Sequence, residues 1–190
     1  MLGLPYRTLT LKDALVSTNP VGCFTETAYG FHVLPMADHL FEVNAEALGR
    51  VIDAAKTYFD VLVIDTGNNL NAVTKQLLEC AEKVVVVSTL DVPCVRAIHG
   101  FEKSVSKEIL KKCTVIVNCL PKKAHVAVQD AFEDVAMPII GLVNDSEQIR
   151  NAHWSLGVTR GGLLAKQLEK FMSKLISLPE QKNWFQRLFG

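Results

Sequence analysis

Five short apolar runs recur along the chain: "FHVLP" (31–35), "VLVID" (61–65), "VVVVS" (84–88), "TVIVN" (114–118) and "PIIGLV" (138–143). They are rich in β-branched residues and lack the polar alternation of a strand with one wet face. Such runs predict strands covered on both sides. Between them lie segments whose apolar positions return at helical spacing: 43–57, 70–81, 93–111, 124–134 and 145–154. After the last run, 159–176 predicts a closing helix with Leu163, Leu164, Leu168, Phe171, Leu175 and Ile176 along one stripe. "TLTLKDAL" (8–15) predicts a short helix opening at Thr10. Strands alternating with helices imply right-handed crossovers and a mostly parallel sheet between helical layers, an α/β three-layer sandwich. Residues 1–177 read as one α/β domain. Pro179 separates it from a linker and tail, 178–190.

Composition narrows this picture little. The chain has 190 residues, 49% apolar and 21% charged, which suits a globular domain and excludes disorder of the whole. Twenty basic residues balance twenty acidic ones, so no global field favours nucleic acid or an anionic membrane, and any such attraction must be local. Five cysteines, Cys23, Cys80, Cys94, Cys113 and Cys119, form an odd set without a C-x-x-C pair. That points to reduced thiols and a cytoplasmic setting. No apolar stretch approaches the roughly 20 residues needed to span a bilayer, so membrane contact would be peripheral. The five histidines show no metal-ligand spacing, and no Ser or Cys sits in a nucleophile elbow.

Open parallel sheets bind ligands beyond the carboxyl ends of their strands, which makes the residues after each apolar run the candidates. "FDVLVIDTGNN" delivers Asp65, Thr66 and Gly67. Asp65 suits either holding a water of hydrated Mg²⁺ or capping the following helix, and a glycine after it lets a backbone N–H approach a phosphate. "CTVIVNCLP" delivers Asn118, whose amide can donate and accept at a purine edge or form a turn before Pro121. "PIIGLVNDSEQIRNA" delivers Asn144 and Asp145, with Asp145 or Ser146 able to cap a helix carrying Arg150. "STLDVPCVRA" delivers Asp91 and Pro93, a helix start.

The order of these strand ends, from about residue 4 to 176, resembles the ParA/MinD group of deviant P-loop ATPases, cytoplasmic dimerising switches that position cell-division proteins, plasmids, flagella or secretion machinery. "YFDVLVIDTG" is similar to the Walker B strand and switch II of that group, which implies that Asp65 serves Mg²⁺ through water and that Gly67 lies near the γ-phosphate. "AEKVVVVSTLDVPCVRA" is similar to the next strand and helix. "VIVNCL" is similar to the strand whose Asn contacts adenine, implying that role for Asn118. "PIIGLVNDSEQIRNAHWSLGV" resembles the segment carrying G-x-I-P-x-D, with Asn144 in place of the proline, and implies adenine-side roles for Asn144 and Asp145. ATP and Mg²⁺ are the implied cofactors, and ATP hydrolysis is the family's activity.

The family opens with a strand, a Gly-rich P-loop bearing two lysines, a helix and a second strand with an acidic residue. "MLGLPYRTLTLKDAL" corresponds to the family's segment after that second strand, and no G-x-x-x-x-G-K-[ST] occurs in the 190 residues. The phosphate cradle of backbone N–H groups and lysine charge is therefore absent from the sequence. Three expectations compete: a fragment or separately started product of a full ATPase, a degenerate paralogue acting as a binding module, or a half completed by another chain, as homodimer or with a family partner.

The last residues, "QKNWFQRLFG", carry their own pattern. On a helix at 100° per residue, Trp184, Leu188, Phe185 and Phe189 fall within an arc of about 140°, with Asn183, Gln186 and Arg187 opposite. Lys182 borders the apolar face and Arg187 lies in the last turn, where positive charge suits the helix dipole and anionic headgroups. "NWFQRLFG" resembles the short membrane-targeting helix that ends the MinD members of the group. That implies reversible attachment to the inner face of the cell membrane. The competing expectations are folding of Trp184 and Phe185 back onto the domain, and nucleoid binding through "EILKKC" and "LPKKAH".

Overall fold

A computed structural model describes residues 8–36, 42–121, 123–147 and 162–175. The chain divides into two compact units, Met1–Gln76 and Leu77–Gly190.

In the first unit, helix α1 (Leu11–Val16) opens where expected: the Thr10 N–H and hydroxyl both donate to the Asp13 carboxylate at 2.8 Å. A 3-10 turn (Pro20–Cys23) leads into β1 (Thr25–Glu26), which pairs antiparallel with β2 (His32–Val33). Gly30 at φ +82° closes this hairpin, a left-handed conformation that side chains with a β-carbon resist. The run 31–35 thus contributes two strand residues to a hairpin instead of a member of a parallel sheet. Helix α2 (Ala45–Tyr58) begins at Asn44, whose side chain accepts from the Ala47 N–H at 2.9 Å. It buries Ala47, Leu48, Val51, Ile52 and Ala55, one helical face. The Phe59 ring comes next, with Phe24, His32 and Tyr58 at centroid distances of 5.0, 5.2 and 4.9 Å.

The strand expected over 61–65 does not form. Among the described residues no ladder pairs it, and Val61, Val63 and Ile64 are exposed, Val63 by 83%. An apolar extended segment becomes a strand only when a neighbour takes up its N–H and C=O groups. The hairpin, the sheet described in this unit, has two-residue strands and offers no such neighbour. Helix α3 (Ala72–Cys80) lies beyond it, with Asn71 accepting from the Thr74 N–H at 2.9 Å.

The second unit holds a parallel sheet in the order β3 (Val84–Thr89), β4 (Cys113–Leu120), β5 (Ile139–Asn144). Here the apolar runs do become strands. Central β4 is buried on both faces, with Val115 and Val117 at 0% exposure on one and Ile116 at 6% on the other. Each such side chain contributes about 1.5–3 kcal/mol relative to an exposed position. The first crossover, expected as one helix over 93–111, is two: α4 (Val92–Ser104) and α5 (Lys107–Leu110), because Ser106 caps a new start by accepting from the Ile109 N–H at 3.3 Å. The second, expected over 124–134, holds among the described residues only α6 (Val128–Ala131). Lys112 Nζ donates to the carbonyls of Leu78, Glu79 and Ala81 at 3.2, 2.7 and 2.8 Å, closing the C-terminal end of α3.

Helix α7 (Gly162–Leu175) is the expected closing helix and packs on the sheet face that carries Ile116, Gly141 and Val143. Phe171 is its central contact. A β-carbon on Gly141 would stand 2.7 Å from the Phe171 ring, so the helix seats where it does because position 141 has no side chain. The register places Val87 opposite Ile116, which puts Val85 and Val87 on this same face. They stay exposed by 38% and 63%. The helix expected over 145–154 falls mostly outside the described residues.

Candidate functional site

The carboxyl ends of three adjacent strands bring polar side chains together in the second unit. Thr89 ends β3, Asn118 lies opposite it in the ladder near the end of β4, and Asn144 ends β5 opposite Leu120. The Asp145 N–H donates to the Leu120 carbonyl at 2.9 Å. The sheet therefore brings Asn118, Asn144 and Asp145 together, as their positions after consecutive strands predict.

The end of β4 is irregular. Register shifts flank it, and Cys119 has φ +52° in the left-handed region, uncommon for a residue with a β-carbon. The strain is offset locally: Asn118 Oδ1 accepts from the Cys119 N–H at 2.9 Å. This changes what Asn118 can offer a ligand. Its carbonyl oxygen is engaged by its own backbone, so its Nδ2 hydrogens are the groups to donate outward.

At the end of β3 a second cluster forms. The Thr89 hydroxyl donates to the Asp91 carboxylate, Cys94 Sγ lies 3.0 Å from the same hydroxyl, and Asp91 Oδ1 accepts from the Cys94 N–H at 2.9 Å. Asp91 is thus the N-cap of α4, with Pro93 in the first turn, as "STLDVP" predicts. The Thr89 hydrogen bond, then those from Cys94, hold the Asp91 carboxyl below the usual range. Thr89 belongs to this cluster, and strand-end reasoning passes over it. Its signal was available, because it follows "VVVVS" directly.

Asp65, Thr66 and Gly67 belong to the first unit and build a turn among themselves. Asp65 Oδ1 accepts from the Gly67 N–H at 3.0 Å, and the Thr66 hydroxyl donates to the Gly67 carbonyl at 3.3 Å. Gly67 has φ +64°, which explains the glycine without a ligand, and a β-carbon there would meet nothing within 4 Å. Mg²⁺ is commonly held by one or two carboxylates together with substrate phosphates. Asp65 supplies one exposed carboxylate, and nothing crowds Gly67 into a cradle. Among the described residues no three His, Cys, Asp or Glu side chains cluster to hold a metal. With no P-loop in the sequence, these residues do not fit a magnesium triphosphate by themselves.

The tail residues Lys182, Trp184, Phe185, Arg187, Leu188 and Phe189 lie outside the described residues. Among the described residues, no helix is long and apolar enough to cross a membrane.

No family model matches the chain. Over 112 residues it is 26% identical to the septum site-determining protein MinD of Synechocystis sp., covering 56% of this chain and 42% of that protein. The matched stretch is thus less than half the length of that relative. Among solved structures, a ParA family ATPase from Chlorobium tepidum TLS superposes with a TM-score of 0.70 at 14% identity, over 81% of this chain and 68% of that one. A chain of the MinC:MinD cell division protein complex of Aquifex aeolicus gives 0.64 at 19% identity, over 79% and 64%. These likenesses establish an α/β architecture of the ParA/MinD type.

Proposed function

Proceeding from a ParA/MinD-like fold, we propose that this chain is a positioning protein of that group, which attaches reversibly to an anionic membrane surface through residues 182–190. One observation carries the reading: an amphipathic segment with four large apolar side chains and flanking positive charge comes after the closing helix α7 of such a fold. Site selection for the division septum is in the name of the Synechocystis relative, and spatial placement of machinery at the cytoplasmic face of the cell membrane is the service assigned here.

The energetics favour a switch over an anchor. Burying four large apolar side chains contributes roughly 6–12 kcal/mol gross. Ordering ten residues costs a similar amount. One tail therefore binds weakly, and a homodimer or a complex with a partner protein binds well because the second tail acts at high effective concentration. Nucleotide enters this reading only where another chain supplies the phosphate side, and its purine would then meet Asn118 through Nδ2, with Asn144 and Asp145 on the neighbouring strand end. We assign no ATP hydrolysis to this chain acting alone, since its residues do not make the phosphate and metal side.

Sedimentation with anionic vesicles tests the proposal. The parent chain is expected to pellet with vesicles and to be released by salt, and a Trp184→Glu/Phe189→Glu variant to remain in the supernatant. Equal pelleting of the two would overturn the membrane assignment.

A further inference from the structure

A cleft of about 460 Å³ opens on the first unit, among the 3-10 turn, strand β2 and the last turn of α2. That volume lies within the range of small-molecule sites, about 300–1,000 Å³. The rings of Phe24, His32 and Tyr58 line it, and all three pack on the Phe59 ring. Rings held by a shared neighbour can take up a planar ligand with little further loss of side-chain freedom.

The polar side chains around these rings have capacity left over. Asn19 is fixed from three directions: its N–H donates to Ser17 Oγ at 3.0 Å, and the Gly22 N–H donates to its Oδ1 at 3.4 Å and to its carbonyl at 3.2 Å. The Nδ2 hydrogens remain to donate into the cleft. A β-carbon on Gly22 would stand 2.9 Å from that Nδ2, so the amide sits there because position 22 has no side chain. The Thr57 hydroxyl donates to the Ala54 carbonyl at 2.7 Å, which leaves its oxygen to accept. Among the described residues no hydrogen bond engages the Tyr58 hydroxyl or the His32 ring nitrogens. No Asp, Glu, Lys or Arg lines the cleft, so a charged ligand would lose water there without gaining a partner.

We infer that this cleft binds an uncharged, planar heteroaromatic molecule carrying both a donor and an acceptor, stacked on Tyr58 and His32 and hydrogen-bonded to Asn19 Nδ2 and Thr57 Oγ1. Tyr58 is 66% exposed, so the cleft is open on one side and holds a single-ring ligand with a dissociation constant on the order of 1 mM. The site uses none of the residues given roles above, and it holds whether or not the chain attaches to membranes.

The test titrates the full chain with nicotinamide at pH 8 and follows the His32 ring and the Val21, Ala54 and Thr57 methyl signals by NMR. Those signals are expected to shift and to saturate. Cyclohexanecarboxamide keeps the amide without the planar ring, and benzoate keeps the ring but adds charge; each should bind about fivefold more weakly. Tyr58→Ala should weaken nicotinamide binding about fivefold. Thr57→Val, which keeps the shape and removes the acceptor, should weaken it about threefold and decides the matter if the alanine variant does not fold. Shifts that do not saturate, that lie outside the cleft or that are equal for the three compounds would overturn the assignment, as would undiminished affinity in the folded variants.

Discussion

Gly141 and Phe171 are a matched pair: the ring lies 2.7 Å from where a β-carbon on Gly141 would stand. Gly141→Ala should therefore displace α7 and destabilise the second unit by about 1–3 kcal/mol. Urea unfolding followed by far-UV circular dichroism measures this. Phe171→Leu should itself destabilise, but the double variant should lose less than the sum of the two, because the smaller side chain relieves the clash.

The single ammonium of Lys112 reaches three carbonyls at the end of α3. Lys112→Met keeps the aliphatic stem and removes the donors. It should cost about 1–2 kcal/mol. Hydrogen exchange should show faster opening confined to the last turn of α3, and uniform loss of protection would contradict a local cap.

Burial pushes the Cys113 thiol up to about 11, and its Sγ donates to the Ile109 carbonyl at 3.2 Å. At pH 8 it is therefore a protonated, shielded thiol. A disulfide reagent should modify the exposed Cys80 and Cys119 quickly in the native chain and reach Cys113 only on unfolding. Cys113→Ser should remove one denaturant-dependent equivalent and leave the fast phase unchanged.

Asp91 has its folded-state pKa lowered by Thr89 and Cys94. A lowered value means that its stabilisation of α4 is complete above the ordinary value of 3.8 and is lost as pH falls through the folded value. Acid titration of the parent should include this loss. Asp91→Asn keeps a capping acceptor without the charge and should flatten that part of the profile.

Calorimetry with ATP and Mg²⁺ should show no binding to this chain alone, since Asp65 and Gly67 form a closed local turn and the sequence has no lysine-bearing phosphate loop. Heat that disappears in Asn118→Ala would show that the purine side suffices.

"VVVVS", "TVIVN" and "PIIGLV" were legible as strands from their continuous β-branched runs, and all three pair in the sheet, but the burial on both faces that such runs indicate is met by β4, while Val85 and Val87 of β3 stay exposed. "VLVID" has the same pattern and remains unpaired, since a pattern of side chains says nothing about whether a neighbouring backbone is present. The single helix read over 93–111 divides at Ser104–Ser106, where apolar spacing continues through a serine that caps a new start. At the candidate site, the placement of Asn118, Asn144 and Asp145 at the ends of neighbouring strands was readable from strand order. That Asn118 turns its oxygen back to Cys119 was not, because it depends on a left-handed backbone that no local motif announces.

Every ladder in the parallel sheet joins strands that are neighbours in the sequence. Such wiring needs only modest loop closures, and loop entropy grows slowly with length. During synthesis, β3, β4 and β5 emerge in the order in which they pair, while the helix that covers Ile116 and Val143 emerges after them. A nascent chain arrested before residue 171 would carry a formed ladder with one apolar face in water, a natural substrate for chaperones until Phe171 arrives to seat on Gly141.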